Sequence, residues 1–352
     1  MLKIEYLDEE MPVYDITVAE NNNFFGNGIL LHNCAEISLP TNQQRTAVCC
    51  LSSLNLFYRD EWEHNEMFIP DVLEMLDNVL TVFIDTAPPQ IQRAIYSASR
   101  ERSVGVGALG FHSYLQKKNI AFESLEAIDI NNKIFYDIRT QLNATNLKLG
   151  RERGEAPDAV GTGLRLSHVM ALAPNASTSI IMGNISPSIE PMVANAYRQD
   201  TTSGSAINKN RQLNKLLMNK CIDDDSLDLD EIWRNIVSNN GSVQHLNFLS
   251  DHEKMVYKNA DELDQKWIIL HASNRQRFID QSQSVNLFFS PTVDIGYLHD
   301  VHFMAWKAGL KSLYYCRSEK LKKADNLSKQ IERIVIEELP EINEEECLAC
   351  SG

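Results

Sequence analysis

Short apolar runs that alternate with long amphipathic stretches constrain this chain more than any other feature. Between residues 68 and 84, Val72, Leu73, Leu76, Val79, Leu80 and Phe83 recur at helical spacing behind a Pro70-Asp71 start, which predicts a helix. Further helices are expected over roughly 122–152, 206–220, 228–239, 262–281 and 293–308. Between them lie runs too short for helices and apolar enough for buried strands: Val169–Leu172, Val285–Phe289 and Lys311–Cys316. Such alternation puts helices over both faces of a sheet, so it predicts an α/β fold with much parallel pairing. Residues 1–33 differ. There β-branched Val13, Ile16 and Val18, with Gly26-Asn27-Gly28 as punctuation, predict short strands and turns.

Charge and cysteine usage narrow the class. A formal net charge of -15 argues against direct nucleic-acid binding, which needs a basic face. No run approaches the roughly 18 apolar residues that a membrane helix requires, and Met1-Leu2-Lys3-Ile4-Glu5 is no signal peptide. A soluble cytoplasmic protein is expected. The seven cysteines, an odd number without a secretion signal, point to thiol or metal chemistry rather than a disulfide framework. Cys221 and Cys316 sit in sequence that looks structural and receive no role.

Gly105-Val106-Gly107-Ala108-Leu109-Gly110 satisfies the dinucleotide-binding pattern G-x-G-x-x-G. It follows Ser99-Arg100-Glu101-Arg102-Ser103 rather than a clear strand, so nicotinamide cofactor binding is not expected. Cys347-Leu348-Ala349-Cys350 is open between a dithiol shuttle and half of a zinc site. No second C-x-x-C or clustered histidine pair accompanies it, which favours the shuttle and no metal.

Val13-Tyr14-Asp15-Ile16-Thr17-Val18, followed by Asn23-Phe24-Phe25-Gly26 and closing on His32-Asn33-Cys34, resembles the C-terminal end of an intein. The resemblance implies a short all-β fragment of the Hint fold over residues 1–33. Asn33 would cyclise to a succinimide and release the downstream chain, with His32 and Asp15 assisting proton transfer. Cys34 would accept the acyl group by transesterification and pass it to its own amine. Asn22 stands where many inteins carry a histidine, which puts more of the proton transfer on Asp15 and His32. Only about 33 residues precede Cys34, so the N-terminal intein half is expected on another polypeptide, making this one half of a trans-splicing pair.

Cys34-Ala35-Glu36-Ile37-Ser38-Leu39-Pro40 is similar to the radical-cysteine loop of the ribonucleotide reductase large subunit, of the type found in phages and bacteria. That loop reads Asn-x-Cys-x-Glu in the family; here His32 holds the place of the Asn, so the pattern breaks at the expected splice point. Residues 34–352 resemble the C-terminal half of a class I large subunit over almost their whole length. The implied fold is the second half of the family's ten-stranded α/β barrel over 34–318, then a helix and a mobile redox tail over 319–352. By the same resemblance Cys34 carries a thiyl radical and Glu36 removes the 3′-hydroxyl proton of the ribose.

Ala47-Val48-Cys49-Cys50-Leu51-Ser52-Ser53-Leu54-Asn55-Leu56 resembles the strand bearing one cysteine of the family's reducing pair. Either thiol can be aligned; Cys49 fits the following Leu-Ser-x-x-Asn-Leu better, which leaves Cys50 as a buried small residue. Pro174, Asn175, Ala176, Ser177 and Thr178, ahead of Gly183-Asn184-Ile185-Ser186-Pro187-Ser188-Ile189-Glu190-Pro191, resemble the family's substrate-diphosphate loop. Trp306-Lys307-Ala308-Gly309-Leu310-Lys311-Ser312-Leu313-Tyr314-Tyr315 resembles its tyrosine-pair strand, in which two phenols relay an electron and a proton stepwise. Cys347 and Cys350 match the tail dithiol in position and role, although many relatives space these cysteines further apart.

The resemblance implies a spliced enzyme that reduces ribonucleoside diphosphates, with thioredoxin or glutaredoxin as reductant. Its partners would be the N-terminal half, where nucleotide effectors bind, and a metal-containing small subunit that delivers the radical. This chain itself would bind no cofactor, and a large-subunit dimer in a bacterial or phage-infected cell is expected. Two other readings stay open: an adenosylcobalamin-dependent reductase, and a splicing or structural remnant without reductase activity.

Overall fold

The computed structural model describes residues 23–26, 29–32, 35–201 and 204–318, with side chains for 35–197 and 207–318. Strands β1 (Asn23–Gly26) and β2 (Ile29–His32) form an antiparallel hairpin with Asn23 opposite His32. Strands β3 (Cys50–Asn55) and β4 (Val104–Leu109) pair in parallel, Cys50 opposite Val104 and Asn55 opposite Leu109. A second antiparallel hairpin joins β5 (Ala196–Thr201) to β6 (Gly204–Lys209). Finally β7 (Leu287–Phe289) and β8 (Cys316–Ser318) pair in parallel.

Parallel bridges tie these pieces into one ladder. Val106 pairs with Met170, and Leu172 with Gln283. The order is therefore β3, β4, the extended segment 169–172, the segment leading into β7, and β8, each beside the one before it in sequence. Parallel neighbours require long crossovers, and helices fill them as the α/β expectation demanded.

The helix Phe68–Thr86 buries Ile69, Leu73, Leu76 and Leu80 against β3, β4 and the helix Leu125–Arg153. Ser124 caps that second helix by accepting from the Ala127 N–H at 3.1 Å, and Gly154 (φ +86°) ends it. The main core runs from Leu54 to Ala305; a smaller one gathers Leu213, Leu217, Ile232, Trp233, Ile236 and Val256.

Four expectations need correction. The helix placed at 206–220 is Arg211–Asp223, because Asn210 caps it by accepting from the N–H groups of Gln212 and Leu213, and the residues before it form β6. The strand placed at Lys311–Cys316 is shifted to Cys316–Ser318, since the Tyr315 N–H donates to the Asn286 side chain instead of to a backbone carbonyl. Cys50, expected buried, is half-buried at the start of β3 and packs on the main core. The glycine pattern after Arg102 does not merely lack a strand. It is a strand, β4.

A Cβ on Gly105 would sit 2.8 Å from the Ala171 Cβ, and one on Gly107 would sit 2.7 Å from the Ala171 carbonyl oxygen. These glycines let β4 lie close against the segment 169–172, which leaves no cradle for a pyrophosphate.

Candidate active site

The segment 281–286 organises the site. Gln283 and Val285 turn toward the helix layer: Gln283 accepts from the Arg275 Nε at 2.7 Å, and Val285 lies in the main core. Alternation then turns Ser282, Ser284 and Asn286 to the opposite face. The Ser284 hydroxyl donates to Glu36 Oε2 at 2.6 Å, and the Ser282 N–H donates to the Glu36 carbonyl at 2.9 Å. The Ser312 hydroxyl donates to the Ala35 carbonyl at 2.9 Å. Glu36 is thus fixed at both its backbone and its carboxylate, and is buried.

Gln281 brings Cys49 to the same place. Its side-chain amide donates to the Cys49 Sγ at 3.1 Å and to the Val104 carbonyl at 3.2 Å, while its Oε1 accepts from the Ser38 N–H at 3.3 Å. Burial pushes the Cys49 thiol up to about 12, against the donors Gln281 and Ser103, so it is protonated at neutral pH.

Tyr314 and Tyr315 run along the next segment. The Tyr314 N–H donates to the Val285 carbonyl at 2.8 Å, and the Tyr315 N–H to Asn286 Oδ1 at 3.1 Å. Their ring centroids are 3.9 Å apart at 49°. The Tyr315 hydroxyl is buried without a hydrogen-bond partner among the described residues.

Beyond Asn286 a cavity of about 320 Å³ opens, lined by Pro174, Ala176, Ser179, Glu190, Tyr197 and Arg317 with apolar Ile180, Ile185 and Met192. Of the five residues expected to hold a diphosphate, Pro174 and Ala176 line it. Asn175 adopts φ +53° and spends its amide on the Ser53 hydroxyl and the Ala173 carbonyl. Ser177 and Thr178 are exposed at the start of the short helix Ala176–Ile181 and do not line the cavity.

The lining omits Glu36, Cys49 and both tyrosines. Asp15, Asn33, Cys34, Cys347, Cys350 and the His32 side chain lie outside the described residues. Among the described residues no three His, Cys, Asp or Glu side chains converge as metal ligands would, and no helix is long and apolar enough to cross a membrane.

Sequence reasoning passed over Gln281, Ser284, Asn286 and Arg317, and quoted Glu190 within the motif at 183–191 without a role of its own. The available signal was Gln281-Ser282-Gln283-Ser284 with Asn286, an unbroken polar run beside apolar strand residues, all of it buried. Glu190, an acid enclosed by Ile189 and Pro191, was the other.

Comparison with known proteins agrees with this architecture. The family profile described as the ribonucleotide reductase barrel domain matches residues 13–159 and 156–316, so its first block begins within the segment that resembles an intein. The ribonucleoside-diphosphate reductase large subunit of Invertebrate iridescent virus 6 is 54% identical over 330 residues, covering 93% of this chain and 34% of that protein. The putative large subunit of Frog virus 3 (isolate Goorha) is 44% identical over 325 residues, covering 91% and 54%. Among solved structures, the Actinobacillus ureae class Id ribonucleotide reductase alpha subunit superposes with a TM-score of 0.75 at 40% identity, over 81% of this chain and 52% of that one. This chain spans about a third to a half of the length of these relatives. With a family match over most of its length and a barrel-type ladder of parallel segments, the chain belongs to the ribonucleotide reductase large-subunit family.

Proposed function

We propose that this chain supplies the C-terminal part of a ribonucleoside-diphosphate reductase large subunit and becomes active after joining its N-terminal half. Cys34, two residues before Glu36, carries the thiyl radical and takes the 3′ hydrogen atom from the ribose. Glu36 takes the 3′-hydroxyl proton; the 2′-hydroxyl leaves as water, and Cys49 with a cysteine of the N-terminal half supplies the two electrons and two protons that put hydrogen in its place, becoming a disulfide. Cys347 and Cys350 reduce that disulfide and are themselves reduced by thioredoxin or glutaredoxin. Tyr315 and Tyr314 carry the radical in from a metal-containing small subunit. The substrate diphosphate lies by Pro174–Thr178, with effectors bound in the N-terminal half.

One observation supports this reading above the rest. The segment 281–286 holds Glu36 through Ser284, Cys49 through Gln281, and the backbone of the tyrosine pair through Val285 and Asn286. A base, a thiol and two adjacent phenols gathered against one extended segment have little use in a structural remnant.

Joining occurs by trans-splicing: Asn33 cyclises with help from His32 and Asp15, and Cys34 becomes the first residue of the downstream product. The test is to mix the chain with an N-terminal half ending in the complementary intein piece, then add a small subunit, thioredoxin and CDP. The expected result is a ligated product lacking residues 1–33, by mass spectrometry, that forms dCDP only with the small subunit present. A ligated product without turnover overturns the reductase reading. A product retaining residues 1–33 overturns the splicing reading, and turnover on adenosylcobalamin alone favours the cofactor-dependent enzyme.

A further inference from the structure

Glu190 is a carboxylic acid buried in the wall of a cavity whose lining is mostly apolar. Its Oε1 accepts from the Asn286 Nδ2 at 2.7 Å. The other end of the same amide, Asn286 Oδ1, accepts from the Tyr315 N–H at 3.1 Å. Flipping the amide would set NH2 against N–H and oxygen against carboxylate, so its orientation is dictated by both neighbours. Arg317, two residues after Tyr315, lines the same cavity and places its guanidinium 5.7 Å from the centre of the Tyr315 ring.

We infer that Glu190 and Asn286 form a positioning bridge that passes the state of the cavity to the backbone of Tyr315. In this role Glu190 touches neither phenol. It sets the strength of the Asn286 hydrogen bond, and with it the hold on the Tyr315 N–H. An ionised Glu190 makes a charge-assisted bond and draws the amide toward the cavity; a protonated one holds it more weakly. An anionic ligand seated beside Arg317 competes with the Glu190 carboxylate for that cation and favours the protonated state. The part played by the bridge in turnover rests on the proposed tyrosine relay, whereas the bridge itself does not.

The charges around Glu190 suit a switch near neutrality. Burial pushes its carboxyl up to about 7, against the Asn286 hydrogen bond and the cations Arg317 of β8 and Arg275 of the helix Gln265–Gln276. Arg275, itself pushed down to about 9 by burial, stays charged there. On the same helix His271 is neutral, as is His112, which accepts from the Met192 N–H close to Glu190 in sequence.

The test uses the full chain labelled with 15N-tyrosine, the Tyr315 amide being assigned by its loss in Tyr315→Phe. Between pH 5.5 and 8.5 the Tyr315 amide resonance is expected to titrate with a midpoint near 7, and to be flat in Glu190→Gln. Adding CDP is expected to shift the midpoint upward; pyrophosphate alone reports whether the diphosphate suffices. Glu190→Asp, which keeps the charge on a shorter arm, should titrate with a smaller amplitude. Circular dichroism establishes that each variant is folded. A Tyr315 amide that does not titrate in the folded native chain, or titrates unchanged in Glu190→Gln, overturns the bridge. These spectra need no radical, so failure of the relay would show separately, as full turnover in Tyr315→Phe enzyme while the Tyr315 amide of the native chain still titrates.

Discussion

Glu36 and Glu190 hang from one extended segment, two residues apart: Ser284 donates to the first at 2.6 Å and Asn286 to the second at 2.7 Å. Residues two apart on a strand share a face and are separated by about 7 Å. Two buried acids therefore stand in file along the inner face, one beside the thiol Cys49, the other in the cavity wall. Each has a neutral hydrogen-bond donor rather than a direct ion pair among the described contacts, so neither carboxylate is tied to a fixed cation.

Gly107→Ala probes the close approach that builds the ladder. The added Cβ would lie 2.7 Å from the Ala171 carbonyl oxygen and 3.2 Å from the Ser53 hydroxyl. The carbonyl belongs to the neighbouring segment and cannot swing aside. The expected cost is about 1–3 kcal/mol, read as a lower urea midpoint at unchanged slope. A midpoint equal to that of the native chain would mean the two segments are not packed as described.

Stability against pH separates two sets of buried groups. Burial holds His112 at about 4 and His271 at about 3, both below the ordinary value of 6.5. As pH falls through 6.5 the unfolded chain takes up protons that these histidines refuse when folded, so stability is lost on acidification. Glu190 acts with the opposite sign. Its folded value near 7 exceeds the ordinary 4.5, so it contributes stability that is complete below 4.5 and lost as pH rises through 7. Glu190→Gln removes that compensation. Between pH 7.5 and 5.5 the variant should lose about 2 kcal/mol more than the native chain in urea unfolding. Equal losses would show that the Glu190 carboxyl titrates alike in both states.

The parallel ladder was legible because its periodicity is local: apolar spacing along Phe68–Thr86 and Leu125–Arg153 already marks their buried faces. The bounds at Arg211 and Cys316 were not, because they depend on Asn210 and Asn286. Nothing in a single sequence says whether such an amide will cap a helix or take a strand N–H. The motif Gly105–Gly110 shows the same limit in reverse. Glycine spacing is identical whether the backbone must approach a phosphate or a neighbouring strand, and only the position of Ala171 decides. Of the expected site, Glu36, Cys49 and the tyrosines converge on the segment 281–286, yet the residues that hold them there are uncharged and fit no motif.

Tyr314→Phe and Tyr315→Phe test the relay. Phenylalanine retains the ring and its packing, so folding and splicing should be unchanged, while the loss of the phenol removes the group that can be oxidised. Each variant, joined to its N-terminal half and supplied with the small subunit, should show no dCDP formation above background. Full activity in both, especially with adenosylcobalamin added, would exclude the tyrosine path.

Cys34→Ser separates the two roles assigned to one residue. A hydroxyl can replace the thiol as splicing acceptor by forming an ester in place of a thioester. It is a weaker nucleophile, since a thiol with a pKa of about 8.5 is already part thiolate at neutral pH. Splicing should therefore proceed more slowly and stop short of completion. Reductase activity should vanish in the spliced fraction, because the O–H bond is too strong for a tyrosyl radical to break. Purifying the ligated product first, then assaying dCDP, keeps the two effects apart. Turnover in fully spliced Cys34→Ser protein would remove Cys34 from the radical step. Native splicing rates would remove it from the acyl-transfer step. A ligated, folded and inactive product is the outcome that both roles require.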